Sequence, residues 1–399
     1  MAKNTYDVCI IGGCGHVGLP LSIALATKGK KVCIYDINEA SVKTVGSGQM
    51  PFWEDGAEPL LKQVLHNNTL TLSTRPEVIS ESAILILIIG TPVDEHLNPK
   101  FGLMKKIIDE YSSYFREDQL LILRSTVYPG ISAKINNWIL EKGKKVHLAF
   151  CPERILEGKS LIELESLPQI VSSFTEEGLK RSIELFKVLT DDIIILEPME
   201  AELTKLFTNV WRYIRFAIAN QFYMIANDYD LDFYKIYHGM THNYPRAKDL
   251  PKPGFAAGPC LFKDTMQLAA FNNNSFYLGH AAMLINEGLP NYVMQKVKKK
   301  HNLANMTVGI LGMAFKGDSD DIRESLSFKL KKIFEIEAKS VLCSDPMVND
   351  ENFVSTEELI ARSDMIILAT PHSAYKNLAV PEGKIVVDVW NLLQKGGII

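Results

Sequence analysis

One cysteine, Cys260, is set apart from the other cysteines by its sequence neighbours. It follows the Gly/Pro-rich stretch 253–259 and precedes a helical pattern that contains Asp264. A thiol at a helix N-terminus has a lowered pKa and is a better nucleophile, and a carboxylate four positions later lies on the same helix face. The pattern is therefore typical of a nucleophilic thiol with an acid–base partner. Taken by itself, however, a lone cysteine is more often a small buried hydrophobic side chain.

Two polar residues, Lys205 and Asn209, lie four positions apart in a long stretch, 201–229, whose apolar residues recur every three or four positions. This periodicity predicts a long helix with at least one buried face. A lysine and an asparagine aimed at one point could stabilise a developing oxyanion. Spacing alone favours the simpler interpretation, a polar stripe on the exposed side of the helix.

A Gly-rich motif near the start predicts a dinucleotide site. Gly13-Cys14-Gly15-His16-Val17-Gly18 follows a strand pattern, opens a helix and precedes a second strand that ends in Asp36. In a G-x-G-x-x-G motif the glycines permit the tight turn, the approach of a pyrophosphate and close packing of helix on strand. The carboxylate of Asp36 can bind the ribose hydroxyls and repel a 2′-phosphate, which favours NAD over NADP. We expect Gly13, Gly15, His16, Val17, Gly18 and Asp36 to bind the cofactor.

Two further loops follow predicted strands of the same region. Gly90-Thr91-Pro92 follows the apolar run 83–89, and Ser125-Thr126 follows the run 120–123. Ligands of open α/β sheets bind at the carboxyl ends of the strands, so Thr91, Pro92, Ser125 and Thr126 are candidate cofactor contacts. Each loop alone is more typical of an ordinary turn.

These residues require an α/β fold in three parts. Apolar runs alternating with helical segments predict an N-terminal Rossmann-like, doubly wound parallel sheet in residues 1–199. Residues 200–303 read as an all-helical region, and residues 304–399 return to strand patterns at 307–311, 341–343, 365–369 and 385–389. The last part is a smaller Rossmann-like α/β domain. We expect the helical region to carry the cysteine loop.

Composition excludes several classes of protein. Of the 399 residues, 47% are hydrophobic. The 43 Lys plus Arg residues do not exceed the 47 Asp plus Glu residues, so the chain lacks the global basic excess that would point to nucleic acid binding. The longest apolar run, 83–89, is far too short to span a membrane. Cysteines at 9, 14, 33, 151, 260 and 343 form no C-x-x-C pair, which argues against a zinc site or a disulfide scaffold. We expect a cytoplasmic protein with reduced thiols, no metal, no membrane and no nucleic acid partner.

Taken together, the motifs resemble the UDP-glucose/GDP-mannose dehydrogenase family of NAD-dependent nucleotide-sugar 6-dehydrogenases over essentially the whole chain. The resemblance is to the branch acting on UDP-N-acetylhexosamines, notably UDP-N-acetyl-mannosamine, more than to the UDP-glucose branch. It rests on ordered motifs at 13–20, 90–95, 125–130, 151–154, 202–209, 244–246, 258–264 and 312–325.

The resemblance implies a four-electron oxidation of a sugar CH2OH to a carboxylate with two NAD. Cys260 would capture the intermediate aldehyde as a thiohemiacetal and then a thioester. Lys205 and Asn209 would stabilise the substrate oxygen. Asp264, through water with Thr126, would transfer protons, and Glu153 would support thioester hydrolysis. The implied substrate contacts are Glu153, Arg154, Lys205, Asn209, Arg246, Phe255, Gly258, Phe315 and Lys316. Arg323 would lie near the cofactor or the domain interface, and Arg246 would reach a neighbouring subunit. The long helix would form the core of a homodimer or higher oligomer.

The sequence departs from the family pattern at three places. Ala257 stands where a glycine is usual, Gln221 where a glutamate is usual, and Ser172-Ser173 where a glycine pair is common. These departures bear on the identity of the sugar more than on the reaction. The alternatives are a UDP-glucose 6-dehydrogenase, a two-electron hydroxy-acid dehydrogenase that needs no thiol, and a non-catalytic sugar-nucleotide-binding protein.

Overall fold

The computed structural model describes residues 4–90, 94, 100–256 and 258–399, apart from the side chain of Phe101. The chain divides into two compact units, Met1–Phe207 and Thr208–Ile399. The predicted fold class is confirmed: an N-terminal sheet with helices is followed by a helical region and a C-terminal parallel sheet. The predicted domain limits at 199/200 and 303/304 stay a prediction.

The first unit is built on an eight-stranded sheet. Its strands are β1 (Tyr6–Ile11), β2 (Val32–Tyr35), β3 (Leu70–Ser73), β4 (Ser82–Leu87), β5 (Leu120–Leu123), β6 (His147–Phe150), β7 (Gln169–Ser173) and β8 (Ile193–Ile195). They lie in the order β3-β2-β1-β4-β5-β6-β7-β8. The helices are α1 (Gly18–Thr27), α2 (Glu39–Gly46), α3 (Ala57–His66), α4 (Phe101–Tyr111), α5 (Ile131–Glu141), α6 (Ser160–Ser166) and α7 (Glu176–Phe186).

The six neighbouring strands β3, β2, β1, β4, β5 and β6 are mutually parallel, whereas β7 pairs with β6 antiparallel. At that junction Ser172 Oγ donates to the carbonyl of Phe150 and Ser173 Oγ donates to that of Leu148, each at 2.7 Å. The two serines that replace the common glycine pair therefore join the reversed strand to its neighbour. The sequence patterns did not predict β3 or β7.

Two apolar clusters enclose the first sheet, one on each face. The central strands are buried on both sides, which explains their nearly continuous apolar sequences. Because successive side chains of a strand point to opposite faces, β1 contributes to both clusters. Val8 and Ile10 belong to one cluster, and Cys9 and Ile11 to the other. This packing fixes the carboxyl ends of the strands, where the Gly-rich turn begins.

The helix α8 (Pro198–Asp228) begins in the first unit and continues in the second. The second unit contains α9 (Phe233–Thr241), α10 (Leu261–Phe271), α11 (Tyr277–Lys300), α12 (Leu326–Glu337) and α13 (Thr356–Arg362). Its four parallel strands are β9 (Thr307–Leu311), β10 (Ser340–Ser344), β11 (Met365–Leu368) and β12 (Ile385–Val387), in the order β10-β9-β11-β12. Within the described residues, no helix is long and apolar enough to cross a membrane.

Candidate active site

The Gly-rich turn has room for a ligand at Gly15, whereas Gly12 and Gly18 are packed against other backbone atoms. Gly12 has a φ of +77°, and a Cβ there would lie 2.1 Å from the carbonyl oxygen of Ile88. A Cβ on Gly18 would lie 2.7 Å from the Cα of Gly13, so only glycine allows α1 to begin this close to the strand. A Cβ on Gly15, by contrast, would meet no atom within 4 Å. This open backbone at the N-terminus of α1 fits the pyrophosphate of NAD.

Asp36 follows β2 and is tied to the same turn. Its Oδ2 accepts a hydrogen bond from the backbone N–H of Cys14 at 3.0 Å, and its Oδ1 accepts one from Asn38 at 3.0 Å. The carboxylate is therefore held beside the turn, where the family pattern requires it. His16 lies stacked on Phe52, with ring centroids 4.0 Å apart.

Ser125 links the carboxyl ends of two neighbouring strands. Its hydroxyl donates to the carbonyl of Ile89 and accepts from the N–H of the same residue, both at 2.8 Å. The loop after β5, which continues into Thr126, is thereby tied to the residues after β4. The predicted cofactor contacts Thr91 and Pro92 lie outside the described residues.

Glu153 is engaged in a buried ion pair that the sequence patterns did not predict. Its Oε2 accepts from the guanidinium of Arg124, which also donates to the carbonyl of Cys151 and to Oε1 of Gln169. Its Oε1 accepts from the N–H groups of Arg154, at 2.7 Å, and Ile155. Arg124 is 1% exposed and Glu153 is 8% exposed. The pair holds the segment after β6 in a fixed conformation.

Two other buried carboxylates fix loops of the first unit. Glu54 accepts hydrogen bonds from the N–H groups of Gly158 and Ser160, at 2.9 and 2.6 Å. Glu202, on α8, accepts from the N–H groups of Gly130 and Ser132 at the start of α5. A carboxylate at a helix N-terminus satisfies unpaired N–H groups and complements the helix dipole. Neither Glu54 nor Glu202 is adjacent in sequence to its donors, so local sequence patterns do not predict these hydrogen bonds.

In the second unit, Cys260 occupies the N-terminal cap of α10 and is exposed. Its carbonyl accepts from the N–H of Asp264 at 2.9 Å, so the two residues share the first turn of the helix. Asp264 is fully buried, and its Oδ2 accepts from the side-chain amide of Asn209 at 2.6 Å. Asn209 lies one turn beyond the half-buried Lys205 on α8. The structure thus brings together three predicted residues, Cys260, Asp264 and Asn209.

The other five cysteines have no comparable exposure. All are buried. Burial, with a contribution from the nearby charge of Asp36, raises the pKa of Cys14 to about 12. Burial raises the pKa to about 11 for Cys33, Cys151 and Cys343, and also raises it for Cys9. These thiols stay protonated at neutral pH, and the thiolate is the nucleophilic form.

The remaining predicted residues of the second unit lie in three places. Gly258 has a φ of +109°, and a Cβ there would lie 2.6 Å from the ring of Phe315. Lys316 Nζ lies 5.8 Å from the centroid of that same ring. Arg323 pairs with Asp321 through two bonds of 2.9 Å from its Nε. Arg246 is exposed, with its guanidinium 4.6 Å from the ring centroid of Tyr244.

A buried Asp–His pair lies at the carboxyl ends of the second sheet. His372 Nε2 lies 3.1 Å from Asp345 Oδ2, and both side chains are fully buried. Asp345 also accepts from the N–H groups of Met313 and Ala314, directly before Phe315. The pair therefore fixes the start of the loop that carries Phe315 and Lys316. Among the described residues, no group of three or more His, Cys, Asp or Glu side chains could hold a metal ion.

Known proteins match this chain along almost its whole length. A curated UDP-N-acetyl-D-mannosamine dehydrogenase of Methanococcus aeolicus is 29% identical over 98% of the chain and 92% of its own length. One of Campylobacter jejuni is 26% identical over 95% of the chain and 98% of its own length. The solved structure of a UDP-D-ManNAc dehydrogenase from Pyrococcus horikoshii superimposes with a TM-score of 0.90 at 26% identity, covering 98% of this chain and 96% of the other.

Three domains of one family match successive parts of the sequence. Residues 6–190 match the NAD binding domain of the UDP-glucose/GDP-mannose dehydrogenase family, residues 199–287 match its central domain, and residues 309–395 match its UDP binding domain. The chain therefore belongs to the UDP-glucose/GDP-mannose dehydrogenase family of NAD-dependent nucleotide-sugar dehydrogenases.

Proposed function

We propose that the chain oxidises the C6 hydroxymethyl group of a UDP-sugar to a carboxylate, and that the sugar is N-acetyl-D-mannosamine. The observation that carries the reaction is the exposed Cys260 at the N-terminus of α10, beside a buried Asp264 that accepts a hydrogen bond from Asn209. The choice of sugar is supported by the relatives from Methanococcus aeolicus and Campylobacter jejuni, whose names specify it.

NAD held at the Gly13–Gly18 turn and beside Asp36 would supply the hydride acceptor, and the four-electron reaction consumes two equivalents of it. Gly15 leaves space for the pyrophosphate, and the charge of Asp36 selects against a 2′-phosphate. Ser125, Thr126, Thr91 and Pro92, with His16, Val17 and Arg323, complete the proposed cofactor contacts.

The first oxidation would remove a hydride from C6, which NAD would accept, and the proton of the C6 hydroxyl, leaving an aldehyde. Asp264, with Thr126 through water, accepts and returns that proton, while Lys205 and Asn209 donate hydrogen bonds to the sugar oxygen. The Cys260 thiolate then attacks the aldehyde carbon. A C–S bond forms, the carbonyl oxygen takes a proton, and the product is a thiohemiacetal.

The second oxidation would remove a hydride from C6 of this adduct, which a second equivalent of NAD would accept. The hydroxyl proton would leave through Asp264, and the adduct would become a thioester. Water then attacks the thioester carbon and the C–S bond breaks, which releases the carboxylate and regenerates the thiol. Glu153 supports this step by holding the segment after β6, because its carboxylate is bound to Arg124. Covalent capture keeps the aldehyde in the site between the two oxidations.

The proposed substrate contacts are those that the family resemblance implies. Glu153 and Arg154 follow β6, and Phe255 and Gly258 belong to the cysteine loop. The proposed contacts of the nucleotide are Phe315 and Lys316, with Arg246 reaching a second subunit. A homodimer is supported by exposed apolar residues at helical spacing on α8, namely Trp211, Ile218, Phe222 and Ile225.

A substrate panel tests the proposal. UDP-ManNAc, UDP-GlcNAc, UDP-GalNAc and UDP-glucose are each incubated with NAD, and the NADH formed is counted per sugar oxidised. We expect about two NADH per molecule of UDP-ManNAc. One NADH per sugar would refute the four-electron reaction, and preference for UDP-glucose would refute the choice of sugar. Full formation of the acid by Cys260→Ala would refute the role of the thiol.

A further inference from the structure

A buried asparagine on α8, Asn220, pairs with both backbone polar groups of Gly254. Its Oδ1 accepts from the N–H of Gly254 at 2.8 Å, and its Nδ2 donates to the carbonyl of Gly254 at 3.1 Å. The side chain of Asn220 is fully buried. The side-chain amide thus bonds to both the N–H and the carbonyl of one residue, as a neighbouring strand would. That residue, Gly254, lies in the 253–259 loop, six positions before Cys260.

A second buried asparagine orients the first. Asn286, on α11, accepts from the Nδ2 of Asn220 at 2.9 Å and donates to the carbonyl of Tyr213 at 3.0 Å. Rotating either side-chain amide by half a turn would place two hydrogen-bond donors or two acceptors opposite each other. The two amides therefore have one mutually consistent orientation, and the Asn220–Asn286 pair joins α8, α11 and the loop.

Packing holds the same loop residues from the other side. A Cβ on Gly254 would lie 2.4 Å from the ring of Trp390, so the chain is confined between that ring and Asn220. The N–H of Ala256 donates to the carbonyl of Gly254 at 2.8 Å. Phe255, only 2% exposed, packs in the same apolar cluster as Leu289. The loop is thus fixed at its base, while Cys260, the residue that follows it, is exposed.

We propose that Asn220 and Asn286 are positioning residues that set the geometry of the 253–259 loop and so the position of Cys260. Asn220 acts on the loop through the backbone of Gly254, and Asn286 acts through Asn220. Catalysis requires reacting atoms to be placed within a fraction of an ångström, and small displacements cost large factors in rate. The part of this proposal that concerns turnover rests on the proposed function. The part that concerns the thiol does not.

The test compares three alanine variants. Asn220→Ala removes both bonds to Gly254. Asn286→Ala leaves those bonding groups in place but removes the group that orients Asn220, together with the bond to the carbonyl of Tyr213. Asn227→Ala is the matched control: Asn227 is equally buried on the same helix, but it bonds to Tyr223 and to the N–H of Ile399. All three variants lose a buried amide, so a purely structural role predicts a similar loss of stability and similar behaviour of Cys260.

The first measurement is the rate of iodoacetamide modification of Cys260 in the folded protein at neutral pH, followed by mass spectrometry. We expect Asn220→Ala to change this rate by about threefold or more, Asn286→Ala to change it less in the same direction, and Asn227→Ala to leave it within about twofold of the unsubstituted protein. Equal rates in Asn220→Ala and Asn227→Ala would overturn the proposal. If Asn220→Ala does not fold, equal rates in Asn286→Ala and Asn227→Ala would do so.

The second measurement is steady-state kinetics with UDP-ManNAc and NAD. Asn220→Ala should lower kcat by about tenfold while the KM for NAD stays within about twofold, because the cofactor turn is unchanged. A change in KM alone would contradict the positioning role. If the unsubstituted protein oxidises no UDP-sugar, the proposed function fails, and the modification rates still decide whether the two asparagines position the thiol.

Discussion

The side-chain amide of Asn209 donates a 2.6 Å hydrogen bond to Oδ2 of Asp264, and both side chains are buried. The second carboxylate oxygen, Oδ1, accepts no hydrogen bond from the residues that the structure describes, and Lys263 Nζ lies 3.5 Å from it. The amide therefore fixes the carboxylate through one oxygen, and the other oxygen lies beside the ammonium group of Lys263.

Replacing Asp264 by asparagine should separate proton transfer from folding. Asp264→Asn keeps the volume but removes the proton acceptor, so we expect kcat for UDP-sugar oxidation to fall about 100-fold. Asp388→Asn is the control, because Asp388 is also buried and accepts from the N–H groups of Leu392 and Leu393. It should lower the urea midpoint without lowering kcat. Equal kcat values in the two variants would exclude proton transfer by Asp264.

Selective alkylation of the native protein should identify one thiol. Cys260 is exposed, whereas the other five cysteines are buried and burial raises their pKa values. We expect one iodoacetamide adduct per chain under native conditions, located at Cys260, and six in denaturant. Cys260→Ser should show none under native conditions. A native adduct at any other cysteine would contradict the assignment of the reactive thiol.

The local motifs could be predicted from the sequence because their signals lie close together. The turn at Gly13–Gly18 and the cap position of Cys260 depend on residues a few positions apart. The supporting partners could not be predicted this way. Arg124 and Glu153 are 29 positions apart, and Glu54 and Gly158 are 104 apart. Only the folded chain brings such polar side chains together. The periodicity of apolar residues does not indicate which buried polar side chains become partners.

The short strands show the same limit. β3 and β7 have four and five residues, and polar side chains such as Thr71 and Ser172 interrupt their apolar patterns. Their pairing with the neighbouring strands β2, β6 and β8 decides their conformation, and local propensity does not.

The Gly-rich turn allows ligand binding to be separated from folding. Gly15→Ala places a methyl group in open space, so we expect unchanged stability but about tenfold weaker NAD binding, because the methyl group obstructs the pyrophosphate. Gly18→Ala drives a Cβ into the backbone of Gly13 and should lower the thermal midpoint instead. Gly46→Ala, also in open space but on α2, should alter neither property. Calorimetric titration with NAD and thermal unfolding measure the two effects. Unchanged NAD affinity in Gly15→Ala would exclude this turn as the pyrophosphate site.

The buried Arg124–Glu153 pair should respond differently to single and double substitution. Arg124→Met leaves the carboxylate of Glu153 buried without its cation and should cost about 3 to 5 kcal/mol. Glu153→Gln strands the guanidinium in the same way. The double variant removes both charges, so we expect it to be more stable than the sum of the single losses predicts. Urea unfolding of the four proteins measures the coupling, and strict additivity would show that the two side chains do not interact.

Asp345 should make stability depend on acid pH. Burial alone would raise the pKa of its carboxyl, but hydrogen bonds from His372 and from the N–H groups of Met347 and Ala314 lower the pKa below 3.8. The unfolded chain therefore binds a proton at this position more readily than the folded protein. The ionised carboxylate stabilises the fold at pH values above about 3.8, and this contribution is lost as the pH falls through the lower pKa of the folded state.

Asp345→Asn removes that titration. We expect the variant to be less stable than the unsubstituted protein at pH 7, because the amide cannot replace the carboxylate as acceptor for four backbone N–H groups. We also expect the difference between the two proteins to shrink between pH 5 and pH 3. Urea midpoints at several pH values measure it, with the exposed Asp249→Asn as a control that should follow the unsubstituted protein. A difference that stays constant over this range would show that Asp345 does not contribute to acid unfolding.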